Sequence, residues 1–461
     1  MRSAPRPISS RRSRSIGWNL RSSAGKSAVS KRFEAVYRSI AHTVKIQDCF
    51  CRILVLILDC FDPCFGETAP FIPKTRADRH RMNLRRLLFW FHLVIGLVVG
   101  LTICFFAVTG SLMAFQPQII TFAERKISVP EHRPEVPCLA PSESVRKLQP
   151  QIGAPPTSFE VFANPRTPAQ VMTAPDRIFL ADACTGELLG NGPSRVRAFF
   201  AHVRDLHRYA AYGGTRYEAL HSITIAGNLG FPILILSGLI LWIPRQWKKV
   251  HLRKALTIRG DLKARARDWN LHTVGGFWLA LPLLVISLSG SVMAYDWVNA
   301  LLYRVAGTPS PQGKEERPKT VDLGNVELLD KLLPLARETD PRWNSLTVRF
   351  PIAANSVPFA LDEGSGSRPQ QKTQLVLSKN GKLTKFDTFD KLPRGRQWRL
   401  YGRFLHTGEI FGWVGQSVAF LAALTAVLLV WTGFALSLRR FVAWRTRKAR
   451  ARERAPVLEA V

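Results

Sequence analysis

Four long apolar runs stand out along the chain, at residues 88–115, 222–243, 274–296 and 412–437. A helix needs about 20 such residues to cross the hydrocarbon core of a bilayer. None of the four runs has a Lys or Arg in its interior, and Asp296 marks the end of the third. The pattern therefore predicts four membrane helices. In the polar stretches between them, 116–221 and 297–411, the period shortens to that of half-buried strands. SFEVFA, AQVMTA and DRIFLAD lie in the first, before the turn ACTGELLG. SLTVRFP, SVPFALD, TQLVLS and KLTKFDTF lie in the second, after NVELLDKLLPLA at helical period. Each stretch reads as a small α+β unit with an antiparallel sheet.

The plan is written twice. FHLVIGLVVGLTICFFAVTGSLMAF (91–115) aligns without a gap on LHTVGGFWLALPLLVISLSGSVMAY (271–295). His92 falls on His272, Gly96 on Gly276 and Gly110 on Gly290, with eight of 24 positions identical from each histidine onward. Unrelated apolar segments would share about two or three, so this is an internal repeat. Both halves run in the same direction, which makes them parallel rather than inverted. The expected fold is an α-helical integral membrane protein, with four transmembrane helices in two parallel repeats and two small α+β modules on one side.

Charge gives the orientation. The chain has 461 residues and a formal net charge of +32. Residues 244–271 hold nine Lys or Arg against two Asp, and the tail after Ser437 holds eight against two Glu. The approach to the first run, RADRHRMNLRRLL, is also basic. The positive-inside rule puts all three on the cytoplasmic face, with both termini inside and both modules outside. No basic patch is interleaved with aromatics on a folded domain, so nucleic acid is not an expected partner. The bilayer is.

The expected organisation follows. Residues 1–81 are a disordered basic extension, or a start assigned too far upstream. A first membrane helix occupies 82–115 and a first outer module 116–206. An outer histidine segment with the second membrane helix follows at 207–243, then a basic loop at 244–271. The third helix is 272–296, the second module 297–398, the second histidine segment with the fourth helix 399–437, and the basic tail 438–461. Of seven cysteines, Cys49, Cys51, Cys60 and Cys64 cluster in the extension without a matching histidine pair. Cys104 lies in a span. Cys138 and Cys184 share the first module, where a disulfide and two free thiols stand as equal readings.

The chemistry lies in the histidines. An imidazole in lipid needs partners for its nitrogens, and charged groups there cost about 2.5–3.5 kcal/mol. His92 and His272 sit at the inner end of matched spans. His207, in RDLHRYAAYGGTRYEALHS, and His406, in RLYGRFLHTGEIFGW, sit at the outer end, with His221 as an alternative outer position. Two histidines at each face is the arrangement a two-haem cytochrome b requires. The nearby glycines would let helices or a flat cofactor approach closely. A proton path is the rival reading, because imidazole titrates near neutrality. His42, His80, His132, His202 and His251 read as solvated or structural. Trp242, Trp247, Trp297 and Trp413 read as interfacial belt residues.

LHRYAAYGG, HSITIAGNLGFPILILSGLILWIPRQW and RFLHTGEIFGWVGQSVAFLAALTAVLLVWTGFALSLRR, with HLVIG, VTGSLMAF and DACTGELLG, resemble the PepSY-associated transmembrane family of iron-regulated membrane proteins. The resemblance covers residues 83–441. It implies a bacterial inner-membrane protein with PepSY-like periplasmic modules and two haems b. Some such proteins reduce ferric siderophores in the periplasm, which would make this chain an oxidoreductase of iron uptake. The family's motif histidines match His92, His207, His272 and His406; His221 stands where a basic residue is expected. No nicotinamide or flavin fingerprint is present, so the electron donor would be a quinone or a separate cytoplasmic reductase. Arg85, Arg86, Arg204, Arg208 and Arg403 flank the histidines as candidate propionate partners. The alternative is a haem-free membrane protein whose modules bind or regulate an envelope peptidase or other partner.

Overall fold

The computed structural model describes residues 84–131, 137–173, 177–190, 195–209, 218–244, 248–311, 322–366 and 368–454. The expected extension (1–81), with its cysteine cluster, His42 and His80, lies outside the described residues, as do His132 and Trp247.

The chain begins its described course with α1 (Leu84–Met113), prolonged by α2 (Gln116–Glu124). Then come α3 (Pro141–Ile152), β1 (Pro156–Phe162), β2 (Ala169–Thr173), β3 (Arg177–Asp182) and β4 (Glu187–Leu188). Next are α4 (Arg195–Tyr209), α5 (Glu218–Trp242), α6 (Lys249–Leu256), α7 (Ala264–Trp278), α8 (Ala280–Ala294), α9 (Asp296–Val305) and α10 (Leu328–Thr339). The second strand set is β5 (Ser345–Arg349), β6 (Ser356–Asp362), β7 (Lys372–Ser378) and β8 (Leu383–Asp387). The described residues close with α11 (Arg394–Thr407) and α12 (Gly412–Arg454).

Among the described residues, two helical stretches are each long and apolar enough to cross a membrane, Leu84–Glu124 and Glu409–Arg450. The third expected span is a pair, α7 and α8, bent by 65°. Pro282 explains the break. Its ring cannot donate to Trp278 and crowds that carbonyl, and the chain relaxes at Leu279 (φ −101°, ψ 8°). The second expected span is the helix α5, whose apolar part, Ala226–Trp242, is shorter than the other two. The four expected spans thus correspond, among the described residues, to two full-length helices, one bent pair and one shorter apolar helix. His272, expected at the start of the third helix, lies within α7, because the helix starts eight residues earlier, at Ala264.

These helices pack with small side chains inside. Ala107, Ala280, Ala422 and Ala426 surround Ile235 and Leu283. α1 lies against α5 and α12, α7 against α12, and α8 against α5 and α11. Large apolar residues face outward: Leu101 is 73% exposed and Trp431 72%. A protein in water does not leave such surface bare, so lipid is the fitting surroundings for this face.

The eight strands among the described residues form one antiparallel sheet in the order β4-β3-β2-β1-β5-β6-β7-β8. The sequence predicts the strands, but as two separate modules. Instead β1 and β5 pair along their length, with Phe159 opposite Val348 and Val161 opposite Leu346. Left apart, each would be an open edge with unpaired backbone groups; joining removes both edges. The order reads the same from either end, so the halves meet about a local twofold at β1–β5. α3 and α10 cover one face, burying Val145, Leu148, Leu329, Leu332 and Leu333 against Phe159, Leu346, Phe359, Leu361 and Leu375. α3, which the strand pattern does not predict, starts with proline in its first turn and ends at Gly153 (φ 66°). Cys138 and Cys184 form a disulfide, fastening the approach to α3 onto the turn between β3 and β4.

Candidate functional site

His92 lies nine residues into α1, and its Nδ1 is 2.8 Å from Ser237 Oγ on α5. His272 on α7 repeats this in the second half, with Nδ1 2.9 Å from Thr432 Oγ1 on α12. The two rings face each other across the bundle, centroids 6.4 Å apart and planes at 88°. At the other end, His207 near the end of α4 has Nδ1 2.8 Å from Thr109 Oγ1 on α1. His406 near the end of α11 has Nδ1 3.2 Å from Ser289 Oγ and 2.9 Å from the Ile286 carbonyl on α8. These rings are also paired, centroids 6.3 Å apart and planes at 62°. Phe106 packs edge-on against His207 at 5.6 Å.

Glycine makes each approach possible. A Cβ at Gly238 would lie 3.3 Å from His92 Cε1, and one at Gly433 would lie 3.5 Å from His272 Cε1. At Gly110 and Gly290 the distances are 3.3 Å to His207 and 3.2 Å to His406. Gly408 (φ 75°) ends α11 just after His406, and a Cβ there would run into the Gly415 carbonyl. The turn into α12 thus runs so close that only glycine fits.

The inner pair opens into a cavity of about 1540 Å³ between α1, α5, α7 and α12. Its walls are apolar, with Leu93, Gly96, Leu234, Gly276, Leu429 and Phe434 among them. Arg85, Arg86, Lys254, Arg259, Lys263, Arg265 and Arg440 also line it, and among the described residues no Asp or Glu does. Arg85 donates to the carbonyls of Leu241 (2.6 Å) and Ile243 (2.9 Å). Arg440 lies 4.8 Å over the Trp90 ring. Such a space suits a flat apolar body carrying negative groups at one edge.

All four expected site histidines are thus brought together, in the expected pairs. His221 lies in α5, and its side chain is outside the described residues. Among the described residues, no group of three or more His, Cys, Asp or Glu is placed to hold a metal ion. Paired imidazoles remain as metal-binding candidates. Two imidazoles on opposite sides of one metal, with bonds of about 2.0–2.1 Å, have centroids about 6 Å apart. Both pairs meet that spacing, and both engage Nδ1 within their own half, leaving Nε2 as the other ring nitrogen. Of the candidate arginines, Arg85 and Arg86 line the inner cavity. Arg403 sits 5.4 Å over the Phe404 ring. Trp242 stacks on Phe277 at 3.9 Å, joining α5 to α7, and Trp278 donates from Nε1 to the Leu256 carbonyl at 2.9 Å, fastening α6 to the bundle. Trp297 and Trp413 are exposed, as belt residues are.

The sequence reading missed the hydroxyls. The signal was available: a Ser-Gly or Thr-Gly doublet occurs once in each apolar run, at 109–110, 237–238, 289–290 and 432–433.

Residues 89–440, most of the chain and all four histidines, match the family described as PepSY-associated TM region. The protein belongs to that family. Membership and the lipid-facing helices together make it a membrane protein. Among curated proteins none matches the chain.

Proposed function

We propose that this protein is a haem b electron conduit of the bacterial inner membrane that reduces ferric iron chelates, such as ferric siderophores, on the periplasmic side. The observation that carries the reading is the pair of facing imidazoles at each end of the bundle, centroids 6.4 and 6.3 Å apart. α1, α5, the bent α7–α8 pair and α12 would be the four crossings, with both termini cytoplasmic. The sheet would then be periplasmic, and its disulfide fits an oxidising compartment.

His92 and His272 would hold an inner haem, and His207 and His406 an outer one. A bis-imidazole haem supplies reversible one-electron chemistry at a potential set by ligation, burial and nearby charge. The chain's own residues do the rest. The hydroxyls of Ser237, Thr432, Thr109 and Ser289 orient the rings. With the cavity filled, its apolar walls would keep water from the inner pair. Arg85, Arg86 and Arg440 offer positive charge where carboxylates would lie. The substrate would meet the outer face near His207 and His406. One electron weakens its complex, because hard oxygen ligands hold ferric iron far better than ferrous. The donor would be a quinone or an acidic cytoplasmic reductase meeting the basic inner face.

The test is a reduced-minus-oxidised visible spectrum of detergent-purified protein, with a haem-to-protein ratio. A ratio near two is expected. His272→Ala should lose the inner haem and His406→Ala the outer one. Absence of haem after expression with ample haem supply overturns the reading and leaves the haem-free binding role. Loss on His221→Ala, with His406→Ala retaining both haems, would reassign the outer ligand.

A further inference from the structure

The four hydroxyl–glycine doublets do more than fill space. A hydroxyl has one proton to give. Thr109 Oγ1 lies 2.8 Å from the Phe105 carbonyl, Thr432 Oγ1 2.7 Å from that of Leu428, and Ser289 Oγ 2.6 Å from that of Val285. Ser237 Oγ lies 3.1 Å from the Leu234 carbonyl. Each hydroxyl thus has a carbonyl of its own helix within reach to take its proton, the usual habit of Ser and Thr inside a helix. With the proton there, the hydroxyl shows the imidazole a lone pair and Nδ1 is the donor. At His406 the second Nδ1 partner, the Ile286 carbonyl, can only accept. A neutral imidazole has a single N–H, and with it on Nδ1 the lone pair is on Nε2. The glycine next in sequence completes the seat, since it lets the ring edge at Cε1 lie directly on the helix.

We propose that Thr109-Gly110, Ser237-Gly238, Ser289-Gly290 and Thr432-Gly433 are four copies of one imidazole seat, whose hydroxyls are positioning residues that fix the Nδ1–H tautomer and present Nε2 to the facing ring. Each half seats its own histidines: α5 seats His92, α1 seats His207, α12 seats His272 and α8 seats His406. The two members of a pair come from different halves and are oriented independently. The consequence for an axial ligand rests on the haem reading above; the tautomer does not. Donation from Nδ1–H makes the imidazole more basic and favours the ferric state of an iron bound at Nε2.

The experiment uses full-length protein in nanodiscs, labelled with ¹⁵N at histidine and kept reduced so that any iron is diamagnetic. Exchange-protected Nδ1–H signals are expected from His92, His207, His272 and His406, assigned by single substitution. Ser237→Ala should remove the protection at His92 alone, and Ser237→Thr should keep it. Protonation at Nε2, or protection unchanged in Ser237→Ala, overturns the seat. On the same samples, Ser237→Ala and Thr432→Val should raise the midpoint potential of the inner couple and leave the outer one in place. Haem retention at the inner site should fall about 10-fold, with rescue by Ser237→Thr and Thr432→Ser. An unchanged inner potential at full haem content likewise overturns the positioning role. Nδ1–H signals in a protein that takes up no haem would uphold the seat and sink the conduit, so the two failures are distinguishable.

Discussion

At single residues, glycine decides how closely the helices meet. A Cβ at Gly290 would come within 3.2 Å of His406 Cε1, tight enough to push the ring off the α8 surface. Gly290→Ala is expected to disturb the outer imidazole pair and spare the inner one. On the haem reading proposed above, a spectrum with one altered low-spin component out of two is the expected result. Gly227 is tighter still, for its Cβ would land on the Thr102 side chain of α1. Gly227→Ala should destabilise the α1–α5 contact by about 1–3 kcal/mol, as overpacking does, measured as a lower midpoint of thermal unfolding in detergent. Half of the seat residues are legible in the sequence, because Thr109-Gly110 and Ser289-Gly290 close the internal repeat. Ser237 and Thr432 carry the same doublet less plainly. They lie on the second helix of each half, where no alignment anchors them, and a hydroxyl beside a glycine in an apolar run looks like ordinary helix packing. Outside the membrane, the loop between α10 and β5 gives a pH prediction. The Arg342 guanidinium hydrogen-bonds Asp340 and holds its carboxyl below the usual range. A depressed folded pKa stabilises above the unfolded value and is lost as pH falls through the folded one. The wild type's advantage over Arg342→Ala should be full near neutrality and vanish as pH drops below about 4. Emission of the adjacent Trp343 during unfolding reads this out.

At the scale of elements, the strands are legible because their alternation matches the face they bury. Val357, Phe359 and Leu361 on β6 alternate with outward positions, opposite Leu377, Leu375 and Thr373 on β7. Phe359 is 1% exposed, at the centre of this layer. Phe359→Ala should cost about 3–5 kcal/mol, visible as a shifted denaturant midpoint for the sheet's unfolding. α3 is less legible, since PSESVRKLQPQI is polar and carries a second proline, Pro150, inside the helix. Its amphipathic face has meaning only once the sheet lies beneath it. Ser142 then donates from its backbone N and its Oγ to the Asp330 carboxylate of α10, both at 2.7 Å. The bend between α7 and α8 is a similar case. Pro282 is plain in the sequence, but an apolar run scores as one span whether straight or broken. The bend matters for the site, because it sets the direction of α7, which carries His272, against α8, which seats His406.

For the whole molecule, the repeat visible in the sequence becomes a twofold relation that builds both histidine pairs and the sheet at once. Every pair takes one imidazole from each half: His92 with His272, and His207 with His406. The sheet is joined in the same way, at β1 and β5. Sequence periodicity shows two equivalent halves but says nothing of how equivalent surfaces meet, which is why two modules were expected where one sheet exists. Neither half therefore contains a complete site or a closed sheet edge. A protein divided in the basic stretch after α5 should behave accordingly. Produced alone, a half keeps one imidazole of each pair, seated but unopposed, together with an open β1 or β5 edge that invites aggregation. Produced together in one membrane, the halves should pair through β1–β5 and through the α1–α12 contact, and copurify through a tag on either. On the haem reading proposed above, a low-spin paired-imidazole spectrum is expected from the copurified halves and from neither half singly. If one half alone gives that spectrum at full intensity, the pairs do not form between halves, and the twofold assembly of the site is wrong.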